Sequence, residues 1–377
     1  MMKTIQAICL SGLVMCCVGL HSPVLAEPFQ IIAAETPMGS GSNQGVRRYI
    51  VRETFGPAEQ LTPIPGSVLY DPAALALRSP MELFISNRAA HTGNGSVARI
   101  RLFGSSFEYL DTFKGNGLTD CAQSCFDPVS GELFVTNYQG GILSRFLFDA
   151  SGNPVPNGVI HMPDGDRQLG AAVRPANRQL FVSDYYKIRR FSPNPDGSYT
   201  FLGYFQLNSG ALYHFMKFKD DLLYVTSFSE NAVLRFSFDA QGNPIYKNRI
   251  AAENALDTAF SPDGQEMFVT DHRNGGIMRF KYDSVAETWI RFGDKIPTPM
   301  LGGIVIVPTA CPLSADLTGD CVVNLADLQV FAAEWLVPGD DYYCTMGGNL
   351  VGTKCLVTLE DFAEFASQWM MQYPSGK

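Results

Sequence analysis

Five short runs along the chain follow one pattern: an apolar residue, an aromatic, an aliphatic, a small hydroxyl residue and a closing polar residue. They are Leu83-Phe84-Ile85-Ser86-Asn87, Leu133-Phe134-Val135-Thr136-Asn137, Leu180-Phe181-Val182-Ser183-Asp184, Leu223-Tyr224-Val225-Thr226-Ser227 and Met267-Phe268-Val269-Thr270-Asp271. The aromatics stand 50, 47, 43 and 44 residues apart, the spacing of a repeated structural unit. Each run reads as a β-strand preceded by a turn, such as Asp127 to Gly131 or Ser261 to Gly264. Each is followed by a second alternating strand, as in Gly141 to Phe146 or Gly276 to Phe280, and by a further turn. The turns Asp149-Ala150-Ser151-Gly152-Asn153-Pro154 and Asp239-Ala240-Gln241-Gly242-Asn243-Pro244 are near copies of one another. Alternation of period two, punctuated by Gly, Asn, Asp and Pro, predicts four-stranded antiparallel meanders and excludes an all-helical fold.

A sixth copy is divided between the ends of the repeat region. Ile31 to Glu35 and Gly45 to Ile50 match the second and third strands of a unit, while Leu301 to Pro308 matches the first. One late strand joining three early ones closes a circle and removes its free edges. The repeats resemble the NHL and YVTN-type propellers over residues 27 to 308. The resemblance implies an all-β, six-bladed β-propeller with a one-plus-three closure; a seventh blade stays open if residues 36 to 66 hold further strands. It implies no single activity, because this fold carries lactonases, lyases and binding proteins alike.

Lys3 followed by the apolar stretch Ala7 to Leu20 and by Val24-Leu25-Ala26 reads as an export signal, cut after Ala26. The stretch falls short of the roughly 20 residues of a membrane span. Met15 ahead of Cys16 argues against a lipoprotein signal, so the mature chain is expected outside the cytoplasm. The formal net charge of −9 without a basic patch argues against nucleic acid and anionic membranes as partners. Of nine cysteines, Cys9, Cys16 and Cys17 fall in the signal, and the remaining even number in an exported chain reads as disulfides. Cys121 and Cys125, four apart on one strand, should face the same side about 13 Å apart, so a bridge between them requires a bend.

After a linker at 309–315, residues 316–373 form a separate small module. Asp316-Leu317-Thr318-Gly319-Asp320-Cys321-Val322-Val323-Asn324-Leu325-Ala326-Asp327 has the spacing of an EF-hand-type loop. Calcium takes six to eight oxygens, and Asp316, Thr318, Asp320, Asn324 and Asp327 supply side chains while Val322 offers its carbonyl. The segment resembles the calcium loop of type I dockerins, with a helix starting inside it at Leu325. Thr318 and Cys321 depart from that family's usual Asn or Asp and Gly. A second copy follows 34 residues on, from Cys355 to Trp369. Its loop has Leu350, Gly352 and Lys354 at the first three ligand positions, so one calcium ion is expected, not two. The resemblance implies a cohesin-type or other scaffold partner. Four cysteines allow three pairings, of which Cys311–Cys321 with Cys344–Cys355 is the symmetric one. Phe331, Trp335, Phe365 and Trp369 recur at helical spacing and read as core.

Strand ends and following loops gather at one mouth of a propeller's channel. Glu35, Asn87, Arg88, Asn137, Tyr138, Asp184, Tyr185, Ser227, Asp271 and His272 are the candidate ligand-binding residues, with Asp184, Asp271 and His272 foremost. Strand-ending Asp, Asn and Ser also commonly cap their own turns. His214, on an inner strand, is a possible base or a hydrogen-bonded structural residue, and Asp120 and Asp257 stand at entries to inner strands. The regucalcin and gluconolactonase group places metal-binding Asn and Asp where this chain has Leu256, Leu169 and Ala122. No nucleophile elbow, zinc-protease motif, phosphate loop or dinucleotide fingerprint is present. The expected function is therefore a secreted propeller binding an extracellular carbohydrate or protein and tethered by its dockerin-like tail. The alternative is a polysaccharide- or lactone-active enzyme using the mouth residues.

Overall fold

The computed structural model describes residues 29–35, 45–51, 56–69, 71–88, 94–103, 106–165, 167–207, 211–308, 323, 325–334 and 359–369. Among them, 24 strands form six antiparallel sheets of four. The first sheet contains β1 (Phe29–Glu35), β2 (Val46–Val51) and β3 (Ala58–Ile64). Blade two is β4 (Pro72–Ser79), β5 (Glu82–Asn87), β6 (Ser96–Phe103) and β7 (Ser106–Phe113). Blade three is β8 (Cys121–Phe126), β9 (Leu133–Asn137), β10 (Ile142–Phe148) and β11 (Pro154–His161). Blade four is β12 (Gly170–Val173), β13 (Leu180–Ser183), β14 (Ile188–Pro193) and β15 (Tyr199–Phe205). Blade five is β16 (Tyr213–Lys219), β17 (Leu222–Ser227), β18 (Ala232–Phe238) and β19 (Pro244–Ala251). Blade six is β20 (Ala255–Phe260), β21 (Glu266–Asp271), β22 (Ile277–Asp283) and β23 (Thr288–Arg291).

The last strand, β24 (Leu301–Pro308), pairs with β1 and completes blade one in the order β24-β1-β2-β3. Inner strands β4, β8, β12, β16, β20 and β24 touch in succession, and β24 returns to β4. The protein is thus a six-bladed β-propeller with the expected split blade. Residues 46–51 and 58–64 are strands of that first blade, and no seventh sheet is seen among the described residues.

Each position of the repeated run has a separate task. The aromatic leaves its own sheet and packs on the next blade: Phe84 on Phe126 at 5.1 Å, Phe134 on Tyr199 at 5.8 Å and Phe181 on Phe218 at 5.5 Å. Tyr224 packs on Phe260 at 4.8 Å and Phe268 on Phe29 at 5.8 Å, which carries the series across the closure. The core is accordingly a ring of inter-blade clusters; one combines Phe84 and Val97 with Leu118, Leu133 and Phe146.

The hydroxyl stitches neighbouring inner strands. Thr136 Oγ1 accepts from Gln123 N at 2.8 Å and lies 2.9 Å from the Leu169 carbonyl of the next blade. Ser183 donates to the His214 carbonyl, Thr226 to Leu256 at 2.6 Å and Thr270 to Gly302 at 3.0 Å. Blade one has Ala34 where a hydroxyl would stand, and there the backbones approach instead. A Cβ on Gly303 would lie 2.6 Å from the Ala74 Cα, so that position admits only glycine.

A third inter-blade link comes from arginines on the third strands. Arg99 donates to the Gly152 carbonyl at 2.6 Å, Arg145 to Gly197 at 2.8 Å and Arg190 to Gly242 at 3.0 Å. Arg235 donates to Glu287 at 2.7 Å and Arg279 to Gly56, each reaching the outer turn of the next blade.

Inner strands β8, β16 and β20 are bulged near their starts, between Cys121 and Ser124, Tyr213 and Met216, and Ala255 and Thr258. A bulge inserts an unpaired residue and turns the following side chains to the other face. This corrects the expectation for Cys121 and Cys125. Cys121 joins the cluster between blades two and three, Cys125 the one between blades three and four, and both are free thiols. Burial pushes both thiols up.

Among the described residues two short helices follow, α1 (Leu325–Glu334) and α2 (Leu359–Ser367). Phe331 and Phe365 are buried with their rings 5.1 Å apart, Phe362 lies 6.0 Å from Phe331, and Trp369 packs on Phe365 at 5.6 Å. Asp327 is buried. Asp316, Thr318, Asp320, Val322, Asn324, Trp335 and the cysteines from Cys311 to Cys355 lie outside the described residues. No described helix is long and apolar enough to cross a membrane.

Candidate functional site at the channel mouth

The bulges also shape the channel. Ala122, Phe215 and Leu256 are bulge residues, and with Ala74 they form an apolar cluster drawn from four blades. Beside it, Gln123 donates to the Met216 carbonyl at 3.0 Å and accepts from Ala171 N at 2.9 Å, tying three inner strands together. Lys217 pairs with the fully buried Asp257 at 3.1 Å, and Asp257 accepts from Ile304 N at 2.9 Å. Burial raises the Asp257 carboxyl against the pull of Lys217. An apolar cluster and a polar network thus cross the inner strands at this end of the ring.

The strand-ending polar residues are committed to the fold. Asn137 accepts from Thr119 N at 2.9 Å and donates to Ser144 at 3.1 Å, and Asn87 donates to Ser96 at 3.2 Å. Asp184 accepts from Tyr186 N at 2.7 Å and Lys187 N at 2.9 Å, and pairs with Arg189 at 2.7 Å. Asp271 holds Lys295 at 2.6 Å, Asn254 at 3.1 Å and Asn274 N at 2.9 Å. Burial works to raise the Asp271 carboxyl, but these partners outweigh it and hold it below the usual carboxylate range. Glu35 pairs with Arg47. Ser227 is fully buried.

In blades two to six the residue after the buried strand-ending one is only half-buried. Arg88, Tyr138, Tyr185, Phe228 and His272 come from five successive blades, and each is half-buried. Tyr138 and Tyr185 share a hydrogen bond of 2.8 Å, with rings edge to face at 6.1 Å. Burial, then that bond, pushes the Tyr185 phenol up to about 12. Tyr185 stands 5.9 Å from His214, which stacks on Phe228 at 5.7 Å, and Phe228 meets His272 edge-on at 6.5 Å. Arg88 lies over the Tyr138 ring at 5.4 Å and reaches the buried Asp120 at 3.4 Å. Arg167 covers Tyr138 at 5.7 Å and Arg273 covers Phe228 at 5.2 Å.

Both histidines are neutral at pH 7. Burial, with smaller contributions from His272 and Arg88, lowers His214 to about 3. Burial also lowers His272, against its bond to the Leu301 carbonyl. His272 Nδ1 is 3.0 Å from that carbonyl, so its proton sits there and Nε2 carries the lone pair.

Arg88, Tyr138, Tyr185 and His272 were legible as mouth candidates, whereas Phe228, Arg167 and Arg273 were not. Phe228 follows the strand-ending Ser227 as His272 follows Asp271, so register alone could have found it. Arg167 and Arg273 stand on loops whose direction depends on the ring. Among the described residues, no group of three or more His, Cys, Asp and Glu is placed to hold a metal.

No protein-family model matches the chain, and no curated protein matches it. Solved structures do share its fold. The periplasmic gluconolactonase of Pseudomonas aeruginosa superposes with a TM-score of 0.59 at 13% identity, over 74% of this chain and 99% of that one. A candidate 6-phosphogluconolactonase from Bacteroides uniformis gives 0.55 at 18% identity, over 72% and 83%. A chain of a nidogen/laminin complex gives 0.54 at 14% identity, over 75% and 100%. At these identities the likeness is one of architecture: the chain has a six-bladed propeller fold whose structural neighbours include lactonases.

Proposed function

We propose that this chain is an extracytoplasmic propeller that binds an extracellular ligand, carbohydrate or protein, at its channel mouth. One observation carries the reading: five successive blades each send the residue after the second strand, Arg88, Tyr138, Tyr185, Phe228 and His272, to one wall. Aromatic faces with polar tips beside the apolar cluster of Ala74, Ala122, Phe215 and Leu256 suit a sugar ring or a side chain of a partner protein. Titration of the mature chain with oligosaccharides by calorimetry should give saturable binding. Phe228→Ala should lose it, while Asp271→Ala should lower thermal stability instead.

A lactone-active enzyme is the second reading, favoured by His272. Its anchored Nδ1 presents a neutral Nε2 that can take a proton from water attacking a lactone carbonyl, while Arg88 steadies the developing oxyanion. The ring C–O bond then breaks as His272 returns that proton to the leaving ring oxygen, giving a hydroxy acid. Consumption of glucono-δ-lactone that His272→Ala abolishes would establish it. Binding without turnover would remove it.

The tail is proposed as a dockerin-like tether taking one calcium ion through Asp316, Thr318, Asp320, Val322, Asn324 and Asp327, with a cohesin-type or other scaffold protein as partner. Support comes from the buried Asp327 in the first turn of α1 and from the pairing of duplicated Phe331 and Phe365. The NHL-type kinship of the repeats and export through residues 1–26 belong to the same proposal, and the periplasmic neighbour agrees with it. Calcium titration should show one site, lost in Asp316→Ala. Two equivalent sites would refute the assignment of the second loop as metal-free.

A further inference from the structure

We propose that the outer edge of blade four, strand β15, is a self-association surface. A second copy of this chain pairs there, antiparallel, about a two-fold axis near Leu202. β15 ends its sheet in the order β12-β13-β14-β15, and no described strand pairs with its free edge. An edge strand turns alternate backbone N–H and C=O groups outward, and proteins blunt such edges with exposed charge or proline. The other five outer strands follow that rule: Glu59 and Pro63 in β3, Glu108 in β7, Pro156 in β11, Lys247 and Arg249 in β19, and Arg291 in β23 are all exposed. β15, Tyr199-Thr200-Phe201-Leu202-Gly203-Tyr204-Phe205, has neither, and Phe201, Leu202 and Tyr204 are exposed along it. It has only a bulge at Leu202, which β7 and β19 carry in addition to their charges.

Symmetry, charge and area make the occupant a second copy. A strand paired antiparallel with itself is two-fold symmetric, so one patch serves both partners. With the axis near Leu202, Phe201 falls opposite Gly203 of the second copy. A Cβ on Gly203 would meet nothing within 4 Å, which leaves room for a ring. The two ends of the strand differ in charge. Lys187 lies over the Tyr204 ring at 4.8 Å, beside the end where Ile188 pairs with Phe205. Asp196 lies in the turn before the other end and accepts from Ser198 N at 2.9 Å and Ser198 Oγ at 2.6 Å. Neither has an oppositely charged partner among the described residues, and antiparallel pairing brings Lys187 of each copy toward Asp196 of the other. Phe201, Leu202 and Tyr204, with the flanking Tyr186 and Leu207, expose roughly 400 Å² of apolar surface. That is about the non-polar half of the roughly 800 Å² each partner gives to a stable interface. β24, after which the chain runs on to the tail, belongs to blade one, across the ring from blade four.

Sedimentation equilibrium of the mature full chain, up to about 0.2 mM, should show monomer and dimer exchanging with a constant in the micromolar range. Leu202→Lys sets two like charges at the axis and should weaken the dimer about a hundredfold, with the melting temperature unchanged. Asp196→Lys should weaken it about tenfold, and adding Lys187→Asp should restore most of that loss. Leu202→Cys should give disulfide-linked dimers on oxidation, whereas Val285→Cys, at a turn residue of blade six that is 95% exposed, should not. A chain that stays monomeric throughout overturns the proposal, even if the edge takes up an extended peptide of another protein. A dimer that survives Leu202→Lys, and that Leu202→Cys crosslinks no better than Val285→Cys, also overturns it, because another face then forms the dimer.

Discussion

Thr226 accepts a hydrogen bond from Phe215 N at 3.0 Å and lies 2.6 Å from the Leu256 carbonyl, bridging two blades with a single hydroxyl. Valine has nearly the same shape but leaves the backbone groups unserved. Thr226→Val should therefore cost about 1–3 kcal/mol, read as a lower denaturation midpoint with an unchanged slope. His214 acts on stability through pH. Its native form stays neutral down to about pH 3, whereas an unfolded imidazole protonates near 6.5. The unfolded state thus binds the proton first, and stability falls as pH drops from 7 through that window, by at most about 1.4 kcal/mol per pH unit. The shift at His272 has the same sign. His214→Gln should flatten part of the slope in urea titrations between pH 7 and 4; an unchanged slope would refute the assignment.

The third-strand arginines show how an element gains a role from its neighbours. Five of them precede an aromatic, in Arg48-Tyr49, Arg145-Phe146, Arg190-Phe191, Arg235-Phe236 and Arg279-Phe280. That recurrence is visible along the chain, but its purpose is not, because most acceptor carbonyls lie 52 or 53 residues further on. Arg279 also pairs at 2.8 Å with the fully buried Glu266, whereas the hydrogen bonds of Arg190 among the described residues go to Gly242 and the Asn243 side chain. Arg279→Met should cost about 3–5 kcal/mol, since it strands a buried carboxylate. Arg190→Met should cost about 1 kcal/mol. Equal losses in chemical denaturation would contradict this account. The bulges mark the opposite case. Nothing in Cys121-Ala122-Gln123-Ser124-Cys125 announces an extra residue, so strict alternation mispredicted which faces the two thiols occupy.

Closure makes the six blades one molecule. β24 supplies the inner strand of blade one, and the Lys217–Asp257 pair latches β16 and β20 onto its backbone at Ile304. A chain ending at Pro308 should retain the melting temperature of the propeller. One ending at Met300 should fail to fold cooperatively, because it exposes the edge of β1 and one face of two inter-blade cores. Similar calorimetric transitions for both would refute the closure as the basis of stability. The strand pattern, its period and the division of the first blade were readable from the chain, because alternation and spacing are local and the two ends of the repeat complement each other. The division of labour within the repeated run was not. Whether Asp271 binds a ligand or a lysine, and whether Phe228 packs inside or joins the row of rings at the mouth, depends on which blade stands alongside and how each strand is turned. Those are contacts between residues far apart in the chain, and only the closed ring sets them.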